Sequence, residues 1–139
     1  MISTVTNRGR ANWMIIDGAF NHERLIEFLR AFVRDGRRRA RRKVFLILDN
    51  LRVHHSKPVK AWLAEHKANI EILFLPSYSP ELNPDERLNA DLKHAIGTKV
   101  PVRTKVRLRT AANEYMAFIQ SNSRRVMAYF QPPFVECAA

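Results

Sequence analysis

Short segments of mixed polarity open the chain, and longer periodic ones follow. Ile2 to Thr6 and Trp13 to Ile16 read as strands joined by the turn-forming Asn7-Arg8-Gly9, with Asp17-Gly18 ending the second. From the capping residue Asn21, the apolar positions Leu25, Ile26, Leu29, Phe32 and Val33 recur at helical spacing. They predict a helix that packs one face on a sheet and stops at Gly36. Val44-Phe45-Leu46-Ile47-Leu48 is an unbroken apolar run, the pattern of a central strand covered on both faces by helices, and it ends abruptly in Asp49-Asn50. Ser56 opens a helix with Pro58 in its first turn and Val59, Trp62 and Leu63 on one face, closing near Asn69.

Ile70 to Leu75 reads as a second buried strand. Pro76-Ser77-Tyr78-Ser79-Pro80 forces an extended loop. Asn83-Pro84-Asp85-Glu86 then starts a helix with Leu88, Leu92, Ala95 and Ile96 inward, ended by Gly97. A longer helix around Lys105 to Gln120, with Leu108, Ala112, Tyr115 and Ile119 inward, and a short one near Arg124 to Phe130 precede a Pro132-Pro133 tail. The order predicts an α/β layer structure with parallel strands and right-handed crossovers. In such sheets chemistry gathers at the carboxyl ends of the strands, where Asp49 stands. With 139 residues, 46% of them apolar, one domain is expected rather than two.

Charge changes the picture more than composition does. Lys and Arg number 24 against 13 Asp and Glu, a formal net charge of +11, which points to a polyanionic partner and favours nucleic acid. Membrane surfaces and RNA would attract such a chain too, so the charge selects a class of partner rather than an activity. The run Arg37, Arg38, Arg39, Arg41, Arg42, Lys43 lacks apolar periodicity and reads as an exposed basic connection, either simply solvated or in contact with phosphates. The lone Cys137 excludes an internal disulfide framework and a four-cysteine zinc site, and suits a reducing cytoplasm. No apolar stretch approaches the roughly 20 residues that span a bilayer, so a soluble protein with no membrane partner is expected.

Two carboxylates stand out. Asp49 follows a buried strand directly, where pairing with a cation would offset its desolvation; the plainer reading is a turn-capping carboxylate. Glu86 is the third helical residue after Asn83, and by itself reads as half of a capping box. A strand and a Pro-rich loop nevertheless lead into its helix from the sheet edge that carries Asp49. Convergent carboxylates suit a hard cation such as Mg²⁺, which serves phosphodiester cleavage. Lys93, seven residues after Glu86 on the same helical face, is a candidate phosphate contact, though an isolated Lys is more often solvated. His54 and His55 are candidates for proton transfer, DNA contact or a structural role. The five His lack paired zinc-ligand spacing.

The segment Val44 to Asn50, with His54-His55-Ser56-Lys57 after it, resembles the second catalytic motif of mariner-like DDE transposases, especially their bacterial insertion-sequence branch. Leu75-Pro76-Ser77-Tyr78-Ser79-Pro80-Glu81-Leu82-Asn83-Pro84-Asp85-Glu86 resembles the third, and Glu86 lies 37 residues after Asp49, within that family's close spacing. The resemblance implies a ribonuclease-H-like mixed sheet flanked by helices. It also implies three acids that bind two metal ions, Mg²⁺ or Mn²⁺, to nick transposon ends and join the freed 3′ hydroxyl to target DNA in the bacterial cytoplasm, at the nucleoid. Asp49 and Glu86 take the second and third roles. The family's first acid lies on a strand before the opening hairpin, so residues 1–139 are expected to form a single partial domain lacking that strand and the helix-turn-helix modules. Asp17 resembles a non-catalytic Asp-Gly of the family. A sheet edge left unpaired would invite a second copy or a full-length transposase. The alternatives are a catalytically inactive DNA-binding or transposase-inhibiting fragment and, less supported, a basic RNA-binding module.

Overall fold

The computed structural model describes residues 1–40, 42–77, 80–98 and 104–131. Its elements run β1 (Ile2–Val5), β2 (Ala11–Met14), α1 (His22–Ala40), β3 (Val44–Leu48), α2 (Lys57–Glu65), β4 (Ile70–Phe74), α3 (Pro84–Thr98), α4 (Lys105–Ser121) and α5 (Ser123–Ala128). Short 3₁₀ turns occupy Arg52–His55 and Pro80–Leu82. The chain divides into two compact units, one made chiefly of Ile16–Pro80 and the other of Ser3–Ile15 with Glu81–Ala139.

In the first unit, β3 and β4 pair in parallel with Val44 opposite Ile70 and Leu48 opposite Phe74, as a β-helix-β crossover requires. One face of this pair, carrying Leu46 and Ile70, packs on Leu25, Leu29 and Val33 of α1 and Val59 and Trp62 of α2. The other face departs from expectation: Phe45 is 63% and Ile47 60% exposed, with Leu73 also open, so this strand is covered on one face only. Nor is β3 central, since among the described residues it belongs to a two-stranded sheet.

Helix α1 also differs from its prediction. Asn21 caps it, accepting from the Arg24 N–H at 3.0 Å, but the helix runs past Gly36 to residue 40. A Cβ at Gly36 would lie 2.7 Å from Cγ2 of Val44. The glycine is thus a point of close helix–strand approach, not a stop. Arg37, Arg38 and Arg39 consequently form the last turn of a helix rather than a loop, where cations suit the negative end of the helix dipole.

In the second unit, β1 and β2 form a hairpin closed by Thr6 N–H donating to Arg10 O at 2.8 Å. The tight turn brings the second strand in at Ala11, two residues before its predicted start. Gly9 has φ +85°, and a Cβ there would lie 2.6 Å from Cβ and the carbonyl oxygen of Ser123, so only glycine lets the hairpin tip approach α5. The core gathers Ala11, Leu88, Met116, Ile119, Val126 and Tyr129. Leu108, expected inward, is 47% exposed, and Met116 takes the central place in the α4 stripe. Helix α3 passes through Gly97 by one residue. The Pro132-Pro133 tail and Cys137 lie outside the described residues.

Candidate active site

Asp49 emerges at the carboxyl end of β3, in the position expected of it. Its side chain keeps 40% of its surface accessible, yet Oδ1 is buried and has no hydrogen-bond partner. The nearest polar group is Nδ1 of His54, 2.9 Å from the Asp49 backbone carbonyl and 3.1 Å from Oδ1. The carbonyl can only accept, so Nδ1 carries a hydrogen and donates it there. Oδ1 lies close to that N–H without lying along it. Asp49 is therefore not the carboxylate that caps its own turn. One of its oxygens is desolvated and uncompensated, a condition that a bound cation would relieve.

Asn50 joins the exits of the two parallel strands. Its Nδ2 donates to the carbonyl of Leu75 at 2.9 Å and to Oγ of Ser77 at 3.3 Å. Since Leu75 O fixes the amide orientation, Asn50 Oδ1 faces Nε2 of His55 at 3.0 Å and accepts from it. The His55 ring stacks on Phe74, centroids 4.3 Å apart. Tyr78 and Ser79 of the following loop lie outside the described residues.

Glu86 belongs to the other unit, in the first turn of α3. The capping box predicted there does not form. Asn83 Oδ1 accepts from the Asp85 N–H at 3.1 Å, and the Glu86 N–H donates to the Asn83 main-chain carbonyl. Asp85 is the structural acid of this turn, receiving a 2.6 Å hydrogen bond from Ser3 Oγ and a 3.4 Å one from Asn89 Nδ2. The Glu86 side chain is exposed and, among the described residues, outside every such pairing. Lys93 lies two turns along α3, equally exposed, about 10 Å further up the same face. Asp17 sits in an exposed bend beside Gly18, whose φ is +84°, as a turn residue would.

The basic run is spread over two settings. Arg37 and Arg38 join Arg30 and Arg34 along one stripe of α1 and, with Val33, Trp62, His66 and Asn69, line an open cleft of about 370 Å³. Arg39 and Arg42 are exposed, Lys43 is paired with Glu71 at 2.9 Å and lies over the Phe45 ring, and Arg41 lies outside the described residues. Arg30 and Arg34 were not singled out in the sequence because the stripe becomes visible only once α1 is known to continue past Gly36.

A family model of the DDE superfamily endonuclease matches residues 1–109, which contain both motifs. The chain belongs to this family. No curated protein matches it. Among solved structures, the catalytic domain of Mos1 mariner transposase is similar with a TM-score of 0.63 and 21% identity, covering 90% of this chain and 67% of that one. The Mos1 catalytic domain solved with raltegravir and Mg is similar at 0.62 and 21%, covering 90% and 68%. At that identity the likeness establishes the fold, the α/β arrangement of the ribonuclease-H-like class.

The donor chemistry of this DDE endonuclease chain fits a hard divalent ion, since Asp49 and Glu86 offer carboxylate oxygens with no Lys or Arg paired to either in the described residues. No cluster of three or more His, Cys, Asp or Glu that could hold a metal occurs among the described residues. His54 is the residue that sequence reasoning left undecided. Its burial is not legible from a polar stretch such as Arg52-Val53-His54-His55.

Proposed function

We propose that this DDE endonuclease chain is the catalytic part of a DNA transposase, spanning residues 1–139 as one partial domain, in which Asp49 and Glu86 hold divalent metal for phosphodiester cleavage and strand transfer at insertion-sequence ends. The observation that carries the reading is the Asp49 carboxylate, at a parallel strand end with one oxygen buried and uncompensated. The exposed, unpaired Glu86 on the first turn of α3 and the Mg in one similar Mos1 structure support it. A bound Mg²⁺ or Mn²⁺, held by these carboxylates, would supply Lewis acidity for activating a water or sugar hydroxyl and for stabilising the departing oxygen. Asp49 and Glu86 bind and orient through their carboxylates. Lys93 and the arginines Arg37, Arg38, Arg39, Arg41 and Arg42, with Lys43 beside them, neutralise phosphates of transposon-end and target DNA. A second copy or a full-length transposase is the expected protein partner. No described helix is long and apolar enough to cross a membrane.

A second reading, a DNA-binding or transposase-inhibiting fragment that does not cut, draws on the basic stripe of α1 and on the lack of a three-residue metal cluster among the described residues. Mn²⁺-dependent nicking of supercoiled plasmid separates the two. Nicking by the wild type that is lost in both Asp49→Ala and Glu86→Ala supports the catalytic reading. Binding of plasmid with no nicking above these variants supports the other.

A further inference from the structure

Polar groups at the end of β3 are arranged in a way that neither the family assignment nor the role of Asp49 explains. Asp49 and Asn50 are each met by the residue five positions later, Asp49 by His54 and Asn50 by His55. His54 is 6% exposed, the only buried residue of its 3₁₀ turn, and stands edge-on to Phe20 with centroids 6.2 Å apart. A buried imidazole normally places both ring nitrogens by what they bond. Here Nδ1–H is committed to the Asp49 carbonyl and brings its positive edge within 3.1 Å of Oδ1.

We propose that His54 is a positioning residue for Asp49, its buried Nδ1–H pinning the backbone carbonyl and setting its positive edge beside Oδ1 without a hydrogen bond to it, so that the carboxylate is presented to a divalent cation in a single orientation. The proposal rests on reading Asp49 as a metal-binding carboxylate. The terminal torsion of an aspartate is broad, and an unrestrained carboxylate at a strand end would have to be ordered whenever the cation bound. With the Asp49 carbonyl held by that hydrogen bond and the Nδ1–H edge 3.1 Å from Oδ1, much of that ordering is done in advance. His55 extends the same device by one residue, holding Asn50, whose amide ties the β3 exit to Leu75 and Ser77 at the β4 exit. The backbone on which Asp49 stands is thereby fixed relative to the start of the loop after β4.

The donor geometry makes the proposal testable. In His54→Asn the side-chain amide nitrogen falls near the place of Nδ1, whereas His54→Leu fills a similar volume without a donor. Mn²⁺ binding to the purified chain, read from the electron paramagnetic resonance signal of the free ion, is measured for these two variants and for Asp49→Asn. Removal of an outer partner of a ligand typically weakens metal binding about ten- to hundred-fold, which is the loss expected in His54→Leu and largely restored in His54→Asn. Should His54→Leu not fold, His54→Gln, which carries its amide one atom further out, takes its place and is expected to bind as weakly. If Asp49→Asn loses Mn²⁺ while His54→Leu or His54→Gln binds like the wild type, or if His54→Asn is as weak as they are, His54 does not position the carboxylate. If Asp49→Asn itself binds Mn²⁺ like the wild type, Asp49 is no ligand, and the underlying reading falls together with the proposal.

Discussion

Replacing Asp49 with Asn tests whether this carboxylate is kept for a ligand or for the fold. Oδ1 is buried without a hydrogen-bond partner, and a buried acceptor left unmade costs about 1–3 kcal/mol, more when charged. The side chain still has 40% of its surface in water, which places the cost near the lower limit, about 1 kcal/mol. Asparagine keeps the shape and removes the charge, so in metal-free buffer the variant should be as stable as the wild type or more so. A gain of about 1 kcal/mol raises the melting midpoint of a chain this size by about 3–5 °C. Mn²⁺ should then reverse the order, stabilising the wild type by mass action and leaving Asp49→Asn unmoved. The assay is a pair of thermal melts followed by circular dichroism, one in chelator and one in Mn²⁺, with plasmid nicking alongside. A midpoint several degrees lower for Asp49→Asn in chelator would refute the reasoning, because it would mean that the carboxylate already makes a net stabilising interaction in the metal-free fold.

Glu86→Gln should leave the melting midpoint within the scatter of ordinary surface changes, about 0.5 kcal/mol, while abolishing nicking, since its side chain is exposed and takes no part in the cap of α3. Gly9→Ala should cost at least about 1–2 kcal/mol from the left-handed backbone alone, with more from the 2.6 Å approach to Ser123; an unchanged urea midpoint would remove that contact from the argument. Arg34→Ala with Arg38→Ala should flatten the salt dependence of DNA binding by about two phosphate equivalents on a log–log plot, whereas an unchanged slope would take the cleft out of the DNA path. Burial and the hydrogen bond to Asp91 raise the Tyr129 hydroxyl above the ordinary value of 10.0. The protonated form is thus the one the fold favours, and its contribution is complete below pH 10 and lost as pH rises through the higher folded value. Melts taken at increasing pH above 10 should fall more steeply for the wild type than for Tyr129→Phe.

Features governed by local pattern were legible in the sequence. The unbroken apolar run of β3, the caps at Asn21 and Asn83, and the placing of Asp49 at a strand end all follow from adjacent residues. What failed depended on partners distant in sequence. Gly36 reads as a stop until Val44 is known to press against it, and only then do Arg30, Arg34, Arg37 and Arg38 fall into one stripe. Leu108 is in phase with Ala112, Met116 and Ile119, but periodicity does not say where along its length a helix meets a partner. The bare face of β3 has the same origin, because an apolar run reports what a strand can bury and not what covers it. The Asp91 cluster with Arg125 and Tyr129 joins residues 34 and 38 positions apart, and no local signal marks it.

The first turn of α3 shows why the site needed more than a motif. Asp85 and Glu86 are adjacent acids at a helix N-terminus, where either is favoured by the dipole and either could serve the cap. On propensity alone the capping box would have taken Glu86 and left Asp85 over. In the structure the assignments are reversed. Asp85 is consumed by Ser3 and Asn89, while the cap is completed by Asn83 through the Asp85 and Glu86 main-chain N–H groups. A helix start that satisfies its own donors without Glu86 has no structural use for that carboxylate. With Asp49 the logic runs the other way, because an oxygen is buried and accepts no hydrogen bond. One acid is spared by its surroundings and the other is left wanting by them, and each setting by itself is consistent with the proposed role of that residue as a carboxylate ligand of a hard cation.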